Sequence, residues 1–228
     1  MNYSSNRTFR RALASRSNRR INPRGRSGRG AIVCRLPNWQ FDRRVIFESI
    51  LEMHVLLILL ARRDILDLWE QRGPIGYTDA HDATCHTYFD FVVKLACGKM
   101  LAIAVKPAAI VEEHGFRQEL ELIKAATPLS FADDVVLVTD RSFTPAEARN
   151  AQRLHEFRRY PDVEADAAIA SLLVDLDTPT TIADLVQRSG LDGRGFRAAF
   201  RALFTGQAKV LNAGDITPQT MITAEVAS

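Results

Sequence analysis

Three side chains of this 228-residue chain have the types and positions for hydrolytic chemistry: Glu52, Asp90 and Lys106. Asp90 is the only acid in Tyr88-Phe89-Asp90-Phe91-Val92-Val93. A carboxylate among aromatic and β-branched neighbours is costly unless a partner or a cation compensates it. Lys106 closes the apolar run Met100-Leu101-Ala102-Ile103-Ala104-Val105, directly before Pro107. Two adjacent strands over 87–93 and 100–106, joined by a turn at Cys97-Gly98-Lys99, bring Asp90 and Lys106 together, and Glu52 supplies a second carboxylate from the preceding helix. Two carboxylates and a lysine suit a divalent metal that holds a phosphate oxygen and acidifies a water, which the lysine orients or helps deprotonate. Hard oxygen ligands without a His or Cys cluster favour Mg²⁺ or Mn²⁺ over Zn²⁺. The same residues also fit a plainer account, with Glu52 on the exposed edge of an amphipathic helix, Asp90 in a salt bridge and Lys106 ending a strand in water.

The elements that must position these residues are those of an ordinary soluble chain, 46% apolar and 25% charged. The longest apolar stretch, residues 50–61, has Glu52 and His54 inside it and falls short of the roughly 20 residues a membrane span needs. The N-terminus has no apolar core followed by a cleavage site, so no secretory signal is expected. Cys34, Cys85 and Cys97 are too few and scattered for a disulfide framework or a zinc cage, and a reducing cytoplasm is the default location. His54, His81, His86 and His114 read as surface residues. No Gly-rich phosphate loop is present, so any ATP requirement belongs to a partner.

The net charge of +3 hides an asymmetry. Residues 1–35 hold ten arginines and no acid, and the remainder carries about −7. A basic, largely unstructured arm on a mildly acidic body suits a polyanion, and nucleic acid fits better than a membrane because the arm lacks an apolar face. Arg19, Arg20, Arg24 and Arg26 are its candidate phosphate contacts. A helix is expected over 43–63, with Arg44, Glu48 and Glu52 on one stripe, then strands over 65–69, 74–78, 87–93 and 100–106. A helix over 111–125, a strand over 135–140 and a helix started by Thr144-Pro145-Ala146-Glu147 complete an α/β unit ending near residue 160. Residues 161–228 read as helices over 162–176, 182–188 and 193–204 and a hairpin from 208–211 and 220–223, the outline of a winged helix. On its third helix Phe196, Phe200 and Leu203 form an apolar stripe. Arg194, Arg197 and Arg201 lie on another, as phosphate contacts or as a solvated face.

Three stretches resemble the TnsA-type endonuclease subunit of heteromeric transposases. Phe47-Glu48-Ser49-Ile50-Leu51-Glu52, continuing through Ile65-Leu66-Asp67-Leu68-Trp69-Glu70-Gln71, is similar to that family's Ser-x-x-Glu helix followed by a strand ending in Glu-Gln. Tyr88-Phe89-Asp90-Phe91-Val92-Val93 stands where the family has (Pro/Thr)-Asp-Phe-(Leu/Val)-Val, and Ala102-Ile103-Ala104-Val105-Lys106-Pro107 resembles its Ile-(Glu/Gln)-x-Lys-Pro strand. The resemblance runs from about residue 46, and is strongest in the middle. It implies a restriction-endonuclease-like mixed sheet flanked by helices over 36–160 and a small winged-helix-like domain over 161–228.

The resemblance further implies Glu52 and Asp90 as metal ligands and Lys106 as the catalytic lysine. The activity implied is hydrolysis of one phosphodiester bond of double-stranded DNA at transposon ends, beside a DDE-type transposase subunit and an AAA+ regulator. One position departs from the pattern: Ala104 stands where the family has Glu or Gln. The two ends of Ala104-Val105-Lys106 share a strand face, so Ala104 offers only a methyl group beside the lysine. Three alternatives stand: a site completed by Val105, waters and the phosphate; a carboxylate from the next helix, Glu112, Glu113 or Glu119; or a catalytically impaired DNA-binding or assembly subunit on the same scaffold.

Overall fold

One helix over residues 43–63 is what the apolar content predicts, but the computed structural model divides that segment, and it describes residues 11–19 and 28–225. Arg43–Phe47 is a strand, β2, paired antiparallel with β1, Gly30–Cys34. Val45 and Phe47 turn into the core while Arg44 stays outside, the alternation a half-buried strand requires. Ser49 then caps α1, Ile50–Ala61, so Arg44 and Glu48 precede the helix and share no stripe with Glu52.

The central sheet has the order β3-β4-β5-β6. Strands β3 (Ile65–Thr78), β4 (Thr84–Leu95) and β5 (Met100–Val105) form an antiparallel meander. Strand β6 (Asp134–Val138) lies parallel to β5, and such a pair needs a crossover. Helices α2 (Ala108–Glu113) and α3 (Phe116–Ala126) supply it. The single helix expected over 111–125 is two because Gly115, at φ +60°, breaks it, a conformation glycine adopts without steric cost. The two strands expected over 65–69 and 74–78 are one continuous β3, with a register shift between Arg72 and Ile75.

Apolar side chains fill both faces of this mixed sheet. Phe91, Val93 and Ile103 pack in one cluster with Val55, Leu56 and Leu60 of α1 and with Val45 and Phe47 of β2. Val92, Ala102 and Ala104 belong to the opposite cluster, with Val111, Phe116, Leu120 and Ile123. The result is an α/β arrangement, a mixed sheet flanked by helices.

Helix α4, Pro145–Arg158, starts as the sequence predicts. Thr144 Oγ1 accepts from the Glu147 N–H, and the Glu147 carboxylate accepts from the Thr144 N–H. Thr144→Ala is expected to cost about 1 kcal/mol and to lower the melting temperature by roughly 2–4 °C, read from a thermal melt of the full chain. The Arg158 guanidinium of α4 donates to the Leu60 carbonyl at 2.7 Å, while Leu154 lies in the core of the C-terminal unit.

That unit contains α5 (Val163–Val174), β7 (Thr180–Thr181), α6 (Ile182–Ser189), α7 (Asp192–Thr205), β8 (Ala208–Val210) and β9 (Met221–Ala224). Its three strands run in the order β7-β9-β8, around a core containing Ile169, Leu185, Phe200 and Ile222. Among the described residues, no helix is long and apolar enough to cross a membrane.

The arm differs from its expectation wherever it is described. Residues 13–19 run along the body: the Leu13 N–H donates to the Asp42 carbonyl, and the Arg44 N–H donates to that of Leu13. Ser15 Oγ and the Arg16 N–H both donate to Glu70 Oε1. The Arg16 guanidinium reaches Asp67 at 2.7 Å and lies over the rings of both Trp39 and Trp69. Asn18 exchanges two hydrogen bonds with the backbone of Gly73. A basic stretch reads as solvated when its acidic partners sit far away in sequence, and here they lie on β3.

Candidate metal centre

Glu52 is aimed by the start of its own helix. Ser49 Oγ accepts from the Glu52 N–H at 3.1 Å and donates back to Glu52 Oε1 at 2.9 Å. The Glu48 N–H donates to Glu52 Oε2 at 2.8 Å. This is a variant of the capping box, in which the acid at the third helical position reaches back to a free N–H before the helix. Ser-x-x-Glu therefore locks the rotamer of a carboxylate that is 7% exposed. Glu48 faces two arginines instead, Arg19 at 3.3 Å and Arg29 at 3.7 Å.

Asp90 sits where the β4–β5 ladder stops. Pairing ends at Phe91↔Ile103, and beyond it the Val105 N–H donates to Asp90 Oδ2 at 2.7 Å. A side chain thus takes up a strand N–H and fixes the carboxylate to the sheet.

Gln71 joins the two acids. Its Nε2 donates to Glu52 Oε2 at 3.2 Å and to Asp90 Oδ1 at 3.3 Å, and the residue is fully buried. Its backbone has φ +49°, a left-handed conformation that is uncommon for a residue with a side chain of this length and concentrates at functional sites. Gln71 Oε1 accepts from Arg19 Nη1 at 3.1 Å, and that guanidinium also lies over the Tyr88 ring.

Burial governs the electrostatics. Asp90 is pushed up from its ordinary value to about 7, first by loss of water and then by the Glu52 charge. The Val105 N–H, Gln71 and the Lys106 charge pull the other way. Glu52 is also raised, chiefly by burial, against the bonds from Glu48 and Ser49. Lys106 Nζ rests over the Phe116 ring, 4.3 Å from its centroid, so its charge reaches Asp90 from a distance.

The structure therefore brings Glu52 and Asp90 to one amide, with Val105 bonded to Asp90 and Lys106 close enough to be felt. Val105 meets Asp90 through its N–H. Two of the three helix carboxylates are occupied elsewhere: Glu112 pairs with Arg141, and Glu119 accepts from the Tyr77 hydroxyl, while Glu113 is exposed on α2. Among the described residues, no group of three or more His, Cys, Asp or Glu side chains is gathered for a metal. Two acidic oxygens facing one amide donor in a water-poor place still fit a hard divalent cation, which would supply the charge they lack.

The candidate phosphate contacts are distributed differently. Arg194 is bound by Asp162 at 2.7 Å and Glu164 at 2.6 Å. Arg201 is 8% exposed and holds Asp166 at 2.6 Å and the Phe157 carbonyl. Two of the three guanidinium groups on α7 are thus committed to internal partners, and Arg201 is withdrawn from the surface a phosphate could reach. Arg197 lines a shallow pocket with Glu156, Tyr160 and Asp162. Arg19 lies against Gln71 beside the acidic pair rather than on an open arm, and Arg20, Arg24 and Arg26 lie outside the described residues.

Gln71 is the site residue that sequence reasoning missed. The available signal was a polar Glu70-Gln71 pair inside the otherwise alternating strand that begins at Ile65. No protein-family model and no curated protein matches the chain.

Proposed function

We propose that this chain is a metal-dependent DNA endonuclease subunit of the TnsA type, which hydrolyses a phosphodiester bond at transposon ends beside a DDE-type transposase and an AAA+ regulator. The observation that carries the reading is the convergence of Glu52 and Asp90 on one buried amide, at the point where two strands part. The element order supports it as well: a helix feeding a three-stranded meander, then a helical crossover to a parallel strand, suits a restriction-endonuclease-like core. Three helices and a small three-stranded sheet after α4 suit a winged-helix-like domain.

Glu52 and Asp90 would hold Mg²⁺ or Mn²⁺, with the Val105 carbonyl as a further donor. A cation bound there supplies charge to a phosphate oxygen and acidifies a water. Within the chain, the Ser49 cap and the Val105 N–H hold the two carboxylates still, so little reorganisation accompanies binding. Lys106, steadied on the Phe116 ring, adds a positive charge that reaches Asp90 from there and would orient the attacking water.

The test is nicking of supercoiled DNA in Mn²⁺, with partner subunits added. Wild type is expected to yield open circles, and Glu52→Gln to lose at least about 100-fold in rate, with the DNA affinity kept. Equal nicking by both proteins would refute the assignment. Ala104 favours a second reading. Its methyl group lies in the apolar cluster with Val111 and Phe116, which suits a scaffold kept for binding alone and predicts DNA retention without nicking under any metal.

A further inference from the structure

Gln71 occupies the place between the two carboxylates with the only part of its side chain that carries positive character. A cation entering there must displace that NH₂ group, and a site made of Glu52 and Asp90 then lacks the oxygen that Ala104 cannot provide. Glu112 and Glu119 are held by Arg141 and Tyr77, so the α2–α3 crossover does not supply it from those two residues. A carboxamide, however, has a donor end and an acceptor end of nearly the same shape, exchanged by turning its last bond.

We propose that Gln71 is the third side-chain oxygen donor of this centre, turning its amide so that Oε1 faces Glu52 and Asp90 when a divalent cation binds. The inference rests on the reading of the acidic pair as a cation site. Three observations favour it over a role as a mere spacer. The side chain is fully buried, so water does not compete for the oxygen. Its backbone is held at φ +49°, which costs free energy and re-aims the side chain out of the regular strand alternation. Its oxygen already has a charged partner, Arg19 Nη1 at 3.1 Å, so the turn has a second consequence. The turned amide presents NH₂ to the guanidinium, donor against donor, and Arg19 must leave. Cation binding and the Arg19–Gln71 contact are therefore mutually exclusive, and loading the centre releases Arg19 from Gln71 while Glu48 at 3.3 Å keeps it beside Tyr88, where DNA would approach.

The experiment is a Mn²⁺ titration of the full chain at about pH 8, with free metal read by electron paramagnetic resonance. Gln71→Met keeps the volume and removes both polar ends, and it is expected to weaken Mn²⁺ at least about tenfold, a loss of about 1.4 kcal/mol. Gln71→Glu is expected to bind at least as tightly as wild type. If Gln71 only spaces the acids, Gln71→Met leaves them without their shared donor and hungrier for a cation, so equal or tighter binding overturns the proposal. Should Gln71→Met not fold, nuclear magnetic resonance of the unaltered protein decides. The Gln71 NH₂ and Arg19 Nε–H signals are expected to shift together as Mg²⁺ is added, and unmoved signals at saturation overturn the idea. Asp90→Asn separates the two levels. If wild type binds Mn²⁺ no better than Asp90→Asn, the cation site itself fails and takes the role of Gln71 with it; if only Gln71→Met matches wild type, the role of Gln71 fails alone.

Discussion

Asp90→Asn is expected to abolish Mg²⁺-supported nicking, by a factor of at least about 10³, and at the same time to make the metal-free protein harder to unfold at about pH 8. Asp90 rises from its ordinary 3.8 to about 7 in the folded chain. Between those two values the native state holds a proton that the unfolded chain has lost, so stability falls as pH rises through this window and levels off above it. Every tenfold change in proton affinity between the two states is worth about 1.4 kcal/mol. Because Asn gives up an acceptor while removing the charge, a net gain of about 2 kcal/mol is the scale to expect. Thermal melts in EDTA should show wild type losing stability relative to Asp90→Asn as pH rises from about 4 to 7. Adding Mg²⁺ should raise the wild-type melting temperature alone, since a ligand stabilises only the state that binds it. A stability difference between the two proteins that does not change across that range would remove the argument that the acidic pair is strained.

Removing residues 1–19 is expected to cost about 2–4 kcal/mol, read as a lower denaturant midpoint. Glu70 is fully buried. Its Oε1 accepts from Ser15 and from the Arg16 N–H, and its Oε2 has no hydrogen-bond partner among the described residues. Truncation strips a buried carboxylate of those donors, which costs more than an average hydrogen bond contributes. It also empties the space between Trp39 and Trp69 where the Arg16 guanidinium lies. The mechanism has its own check, because the same truncation should cost less in a Glu70→Gln background. An unchanged midpoint would mean that the segment rests on β3 without holding it. A cut at residue 35, as a test of DNA affinity, would remove β1 and with it Cys34 of the core, so loss of binding would report unfolding.

Much of this architecture is legible in local chemistry. Thr144, Pro145 and Glu147 announce α4, and the Phe196–Phe200–Leu203 stripe announces α7, because capping and periodicity act within a few residues. The strands carrying Asp90 and preceding Lys106 are legible for the same reason. The β1–β2 pair is not: five residues rich in arginine become a strand because a partner several residues away across a loop accepts their hydrogen bonds. The fates of Arg194 and Arg201 are hidden likewise, since Asp162 and Asp166 stand about thirty residues upstream. Gln71 is the least legible, as nothing in a glutamine foretells a left-handed backbone or its placement between two acids.

Helix α4 leaves one more consequence. Its Arg158 grips the end of α1, the helix that begins beside Glu52. Farther back, Arg149 and Asn150 clasp Asp215 and Gly214 of the segment between β8 and β9. A rod fastened to both halves acts as a ruler: if the chain is the nuclease proposed above, a duplex seated on the C-terminal half would meet the acidic pair at a distance set by protein geometry, and the offset between the grip and the cut would not vary with the sequence between them.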